Sequence, residues 1–121
     1  MNANQKTTKT KKVNTKGKYL TLEMNVRLTE AIERHRGFLI LIAKEQAEIH
    51  YIEQEYHNGR PDGWYADLIS VGIYGMCRGA LAWQQKEIEG KRTTDFDGEL
   101  KQAARVRVKH LAKKLCKLNF D

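Results

Sequence analysis

The sequence predicts an all-α protein: a small helical bundle, built as a helical hairpin plus a C-terminal basic helix, behind a disordered basic N-terminal arm. Three observations carry that prediction. Apolar residues recur every three or four positions over long stretches. A single proline punctuates 121 residues, which disfavours a many-stranded, turn-rich fold. The hydrophobic fraction of 40% and charged fraction of 31% suit a packed domain rather than a disordered chain. The length allows one domain, read as residues 19–121, with residues 1–18 as the arm.

The arm holds Lys6, Lys9, Lys11, Lys12, Lys16 and Lys18 and no acid. Apart from Met1, only Val13 offers sizeable apolar surface, so little offsets the entropy of ordering. Residues 19–24 then alternate apolar and polar with period two, as a short strand does. A strand between a basic arm and a helix resembles the ribbon-helix-helix DNA-binding proteins. That resemblance implies a dimer whose paired strands enter the major groove.

Residues 27–56 read as the first helix. Leu28, Ile32, His35, Leu39, Ile42, Gln46 and Ile49 form one stripe, widened by Ala31, Phe38 and Ala43, with Gly37 marking a kink or break. So long a stripe asks for more cover than three helices supply, which makes a homodimer one expectation. Residues 58–63, Asn-Gly-Arg-Pro-Asp-Gly, read as a turn with Pro61 setting its corner. The second helix is expected over 64–89. On it Leu68, Gly72, Gly75, Gly79 and Ala82 share a face and form a groove without side-chain bulk. Glycine costs a helix about 1 kcal/mol relative to alanine, so three in line imply close packing, and the first helix is the expected occupant. Residues 90–95 read as a loop ending in an N-cap at Thr94 or Asp95. The third helix follows over 98–118, with Leu100, Ala104, Val108, Leu111, Leu115 and Leu118 inward. Lys109, His110, Lys113, Lys114 and Lys117 face outward.

Charge gives the main functional lead. The net charge is +7, and residues 101–117 carry seven basic side chains and no acid. Acids at Asp97 and Glu99 with lysines at the far end complement the helix dipole, but seven uncompensated cations exceed what a cap needs. Clustered cations at both ends of the chain gain counterion-release entropy on a polyanion. The expected partner is therefore nucleic acid, DNA or RNA, gripped through phosphates by Lys9, Lys11, Lys12 and Lys16 of the arm and Lys101, Arg105, Lys109, Lys113 and Lys117 of the third helix. Tyr19, Trp64, Tyr65, Trp83 and Phe120 are candidates for stacking on bases, with Trp64 and Tyr65 the best placed. A small basic chain of this kind also suits an accessory or regulatory factor of a mobile element. In the alternative reading its cations dock on an acidic protein, for instance a host enzyme that it inhibits.

Enzyme chemistry has a weaker footing. Cys77 and Cys116 lack metal spacing and read as reduced thiols packed in the core of a cytoplasmic protein. His35, His50, His57 and His110 lack the i, i+4 pairing of a helical zinc site. No glycine-rich phosphate loop follows a strand, and no cofactor is implied. The most apolar stretch, residues 68–83, is short of a bilayer span and contains Arg78. One acidic pattern remains. Glu45 and Glu48, three apart on the first helix, with Asp67 on the second, resemble the E-x-x-E and E-x-x-D ligands of the all-α MazG-like nucleoside-triphosphate pyrophosphohydrolases. The resemblance implies Mg²⁺ at Glu45, Glu48 and Asp67. Trp64 stands at the position of the fourth carboxylate, so the set is one ligand short.

Overall fold

The computed structural model of the protein describes residues 19–91 and 95–120. The Lys-rich arm, residues 1–18, lies outside them, as does Thr94. In chain order the elements are α1 (Leu22–Arg34), α2 (Arg36–Ile49), a short hairpin of β1 (Tyr56–His57) and β2 (Arg60–Pro61), α3 (Gly63–Ile88) and α4 (Phe96–Phe120). The all-α class is borne out.

The alternating segment at residues 19–24 is not a strand. Thr21 stops it: its hydroxyl accepts from the Met24 amide at 3.2 Å, an N-cap that starts α1 at Leu22. With the strand gone, the resemblance to ribbon-helix-helix proteins loses its basis. The entry to α1 is also pinned by Gln84, a buried polar residue on α3. Its amide oxygen accepts from the Thr21 N–H and its nitrogen donates to the Tyr19 carbonyl, both at 3.0 Å. Both ends of the buried amide are thus satisfied.

The helix read over 27–56 is two helices. The break falls at His35, two residues before Gly37. There φ is −108° and ψ 21°, and the His35 N–H still reaches back to Ala31 and Glu33. The physical reason lies outside the helix. Asp97, at the start of α4, accepts from Arg34 (Nη2, 2.7 Å) and pairs with His35 Nε2 at 2.7 Å. Meeting it turns the chain. α2 then ends early, at Ile49, in a Schellman geometry: Tyr51 adopts φ 58°, Tyr51 N–H bonds Glu48 O and Ile52 N–H bonds Ala47 O at 2.8 Å. Ile52 is buried and Ile49 is left exposed. α3 ends by the same device with the usual residue, Gly90 at φ 73°.

The turn at 58–63 is a two-residue hairpin loop. Asn58 (φ 52°) and Gly59 (φ 75°) are both left-handed, the geometry that matches strand twist, and His57 pairs with Arg60. Pro61 sits on the second strand rather than at the corner. Tyr56 of this hairpin packs edge-on against Tyr65, ring centroids 5.7 Å apart.

α3 and α4 form the tightest pair, antiparallel. A Cβ at Gly79 would lie 3.5 Å from Leu100 Cα; one at Gly75 would lie 2.8 Å from Ala103 O and 3.0 Å from Ala104 Cα; one at Gly72 would lie 3.1 Å from Val108. The glycine groove is filled, but by α4 rather than by the first helix as expected. α2 enters only at its edge, where Leu39 reaches Gly72. α2 runs along the α3–α4 pair, and α1 crosses its end. There the Arg27 guanidinium lies over both Trp83 (5.0 Å) and Phe96 (4.3 Å), which themselves meet edge to face. The core gathers Leu28, Leu39, Ile42, Tyr65, Leu68, Met76, Leu100, Ala104 and Val108. Cys77 and Cys116 are free thiols, half-buried rather than in the core, and burial pushes the Cys77 thiol above its usual range. Among the described residues no helix is long and apolar enough to cross a membrane.

Candidate nucleic-acid interface

α4 begins at an N-cap, where Asp95 Oδ2 accepts from the Gly98 N–H at 2.8 Å. Its buried line is Phe96, Leu100, Ala104, Val108, Ala112 and Leu115. Leu111 is half-buried and Leu118 is 67% exposed, so the expected inward face shifts by a residue toward the end. Successive side chains turn by about 100°, so the basic positions spread over two flanks and the solvent face between them.

Lys101 and Arg105 lie on the flank toward α2. The Lys101 ammonium is 5.5 Å and the Arg105 guanidinium 5.3 Å from the Phe38 ring, and Arg105 Nη1 is 3.9 Å from Glu45 Oε1. These two cations hold α2 against α4, so they are engaged with the fold as well as open to water. Lys109 and Lys113 stand on the solvent face, and Lys117, with His110 and Lys114, turns toward the α3 side. All five are exposed. Among the described residues, none of Lys109, Lys113, Lys114 and Lys117 forms a salt bridge.

The opposite end of α4 is charge-balanced. Asp97 binds Arg34 and His35, and Glu99 Oε2 binds Lys86 Nζ at 3.0 Å. Partial burial pushes the Asp97 carboxyl upward, but hydrogen bonds from His35 and Arg34 outweigh it and hold the group below the usual carboxylate range. His35, which the sequence places on the apolar stripe, is thus a hydrogen-bonded residue between the α1–α2 break and α4. The chain enters the described fold at this end, because Tyr19 is held by Gln84. From Phe96 to Lys113 is about 25 Å at ~1.5 Å per residue. The described start of the chain and the unpaired lysines therefore lie at different ends of the bundle. Lys9, Lys11, Lys12 and Lys16 lie outside the described residues.

Of the stacking candidates, Tyr65 is fully buried. Burial first, then the nearby Tyr56 and Glu48 oxygens, push its hydroxyl up to about 12, and among the described residues that hydroxyl has no hydrogen-bond partner. Trp83 is packed against Phe96. Trp64 is 39% exposed at the start of α3 and Tyr19 is exposed beside Gln84, while nothing is described of the Phe120 side chain.

The carboxylates Glu45, Glu48 and Asp67 do not assemble. Glu45 faces Arg105, Glu48 accepts a 3.4 Å hydrogen bond from Gln54, and Asp67 is exposed on α3. Among the described residues no three His, Cys, Asp or Glu side chains are arranged to hold a metal ion.

Two cations went unremarked as binding residues in the sequence. Arg107 places its guanidinium 5.1 Å over the half-exposed Tyr74 ring, and with Arg78 it lines a crease between α3 and α4. The available signal was spacing: Arg78 sits three residues from Gly75 and four from Ala82 on the groove face. No protein-family model matches the chain, and no curated protein or solved structure matches it significantly.

Proposed function

We propose that the protein binds nucleic acid through phosphates, as an accessory or regulatory factor acting in the cytoplasm. Lys109, Lys113 and Lys117 of α4 are the central contacts, with Lys101 and Arg105 at the flank and the lysines of residues 1–18 as a second contact. The observation that carries the reading is the run of exposed lysines on the C-terminal half of α4 that have no ionic partner among the described residues, in a helix whose Asp97, Glu99 and Arg105 are paired within the fold. A surface that keeps four cations uncompensated bears self-repulsion, which a polyanion relieves while releasing its own counterions. The free thiols Cys77 and Cys116 suit a reducing compartment.

The test is a salt titration of binding to duplex and single-stranded DNA and RNA with the full chain. If about six phosphates are neutralised, log K falls against log salt with a slope near −5 on B-DNA. The triple variant Lys109→Gln/Lys113→Gln/Lys117→Gln flattens that slope by about 2.7, and Lys9→Gln/Lys11→Gln/Lys12→Gln/Lys16→Gln flattens it by up to about 3.6. Affinity that hardly changes between low and physiological salt overturns the proposal.

A further inference from the structure

A crease of about 620 Å³ runs between α3 and α4, on the flank of α4 opposite Lys101 and Arg105. Small groups make its floor: Gly79 and Ala82 from α3, Gly98 and Ala103 from α4. Val106, 40% exposed, adds an apolar step. Arg78 and Arg107 stand on its two walls. Its one acid, Glu99, is already held by Lys86. At the rim the Arg107 guanidinium covers the Tyr74 ring, and Tyr74 remains 48% exposed. Along the same line His110 and Lys114 follow on α4. Trp64, eleven residues or about three turns before Gly75, follows on α3.

Charge selects the occupant. A second copy of this crease would set Arg78 and Arg107 against themselves, and residues 1–18 carry the same sign. The ligand is therefore anionic. It also needs flat apolar faces to meet Val106, Ala103 and the Arg107–Tyr74 pair, which a duplex, with its bases stacked inside, does not offer. Cationic grooves with aromatic platforms suit unpaired strands, because every base has a π-face and every nucleotide a phosphate.

We propose that the α3–α4 crease binds a single-stranded polynucleotide, bases against Val106 and Tyr74 and phosphates on Arg78 and Arg107. The proposal rests on the nucleic-acid reading above and goes beyond it by naming the strand state and a second surface.

Fluorescence anisotropy on the full chain tests it, with labelled oligothymidine and oligouridine of about 15 nucleotides, the scale of one single-strand site, and a duplex of equal length. Either single strand binds at least about fivefold tighter than the duplex. Tyr74→Ala lowers single-strand affinity about fivefold or more, the scale of one lost stacking contact. Arg78→Gln/Arg107→Gln flattens the single-strand salt slope by about 1.4. Both variants change exposed side chains, and unchanged thermal melting verifies their fold. Tighter duplex binding, or single-strand affinity within twofold of wild type in both variants, overturns the crease. So does a poly-glutamate peptide that needs Arg78 and Arg107 when the oligonucleotides do not; the occupant is then an acidic protein segment. If only the Lys109/Lys113/Lys117 variant loses binding, the crease falls and the α4 surface stands. If wild type binds no oligonucleotide, both fall.

Discussion

On the face that α4 turns to α3, Ala103 and Ala104 approach glycine backbone so closely that Gly75 has no room for a methyl group. On the face that it turns to water, Lys109, Lys113 and Lys117 have no ionic partner among the described residues. The same 25-residue helix thus has one side on which an added carbon is costly and another that tolerates exchange. The difference separates what holds the protein together from what it offers to a partner. Packing against backbone is unforgiving because backbone cannot rotate away, whereas an exposed lysine contributes little to stability and remains free to bind.

The sharpest way to break this contrast is Gly75→Leu. Its side chain would meet Ala103 O and Ala104 Cα, and α4 would have to shift, so a loss of about 3 kcal/mol in urea unfolding is expected. A loss under about 1 kcal/mol would mean that α3 and α4 are not locked as described.

Asp97→Asn comes next. It weakens the contacts that join α4 to the α1–α2 break, at a cost of about 1 kcal/mol after allowing for solvent screening at this partly exposed site. Because the folded carboxyl titrates below its usual range, its contribution is complete above the unfolded aspartate value of about 3.9. It fades as pH falls through the lower folded value. The Tm gap between wild type and Asp97→Asn should therefore narrow as pH drops below about 4. A gap that widens there would contradict the pairing.

Thr21→Ala removes the α1 cap and should cost about 1 kcal/mol by the same unfolding assay. Gly37→Ala tests the opposite sign: nothing lies within 4 Å of a Cβ there, so it should stabilise by about 0.5 kcal/mol. Smallest of all is the effect of Lys109→Gln/Lys113→Gln/Lys117→Gln on unfolding, within about 0.5 kcal/mol of wild type, while its salt slope of binding flattens. A large destabilisation would place those lysines in the structural half of the comparison.

Periodicity made the helices legible, along with most of the core positions and the outward face of the last helix. Leu28, Leu39, Leu68, Leu100 and Val108 repeat at helical spacing because burial of one face imposes it. Spacing alone could not locate the breaks. The chain turns at His35 because Asp97 lies 62 positions away in sequence and next to it in space. α2 ends at Ile49 on a left-handed Tyr51, a residue that carries no stop signal. Nor could the Thr21 cap be told from a strand by alternation over six residues.

The glycine line announced a close approach, since only a lost side chain explains so many helix-weakening residues on one face. Which helix fills it was a matter of competition among surfaces, settled by the small Ala103 and Ala104 of α4 against the bulkier stripe of α2. Charge is likewise written in composition, but which lysines stay free is not. Phe38 and Glu45 engage Lys101 and Arg105 and leave Lys109, Lys113 and Lys117 without such partners, because pairing depends on distances that only the packed helices define.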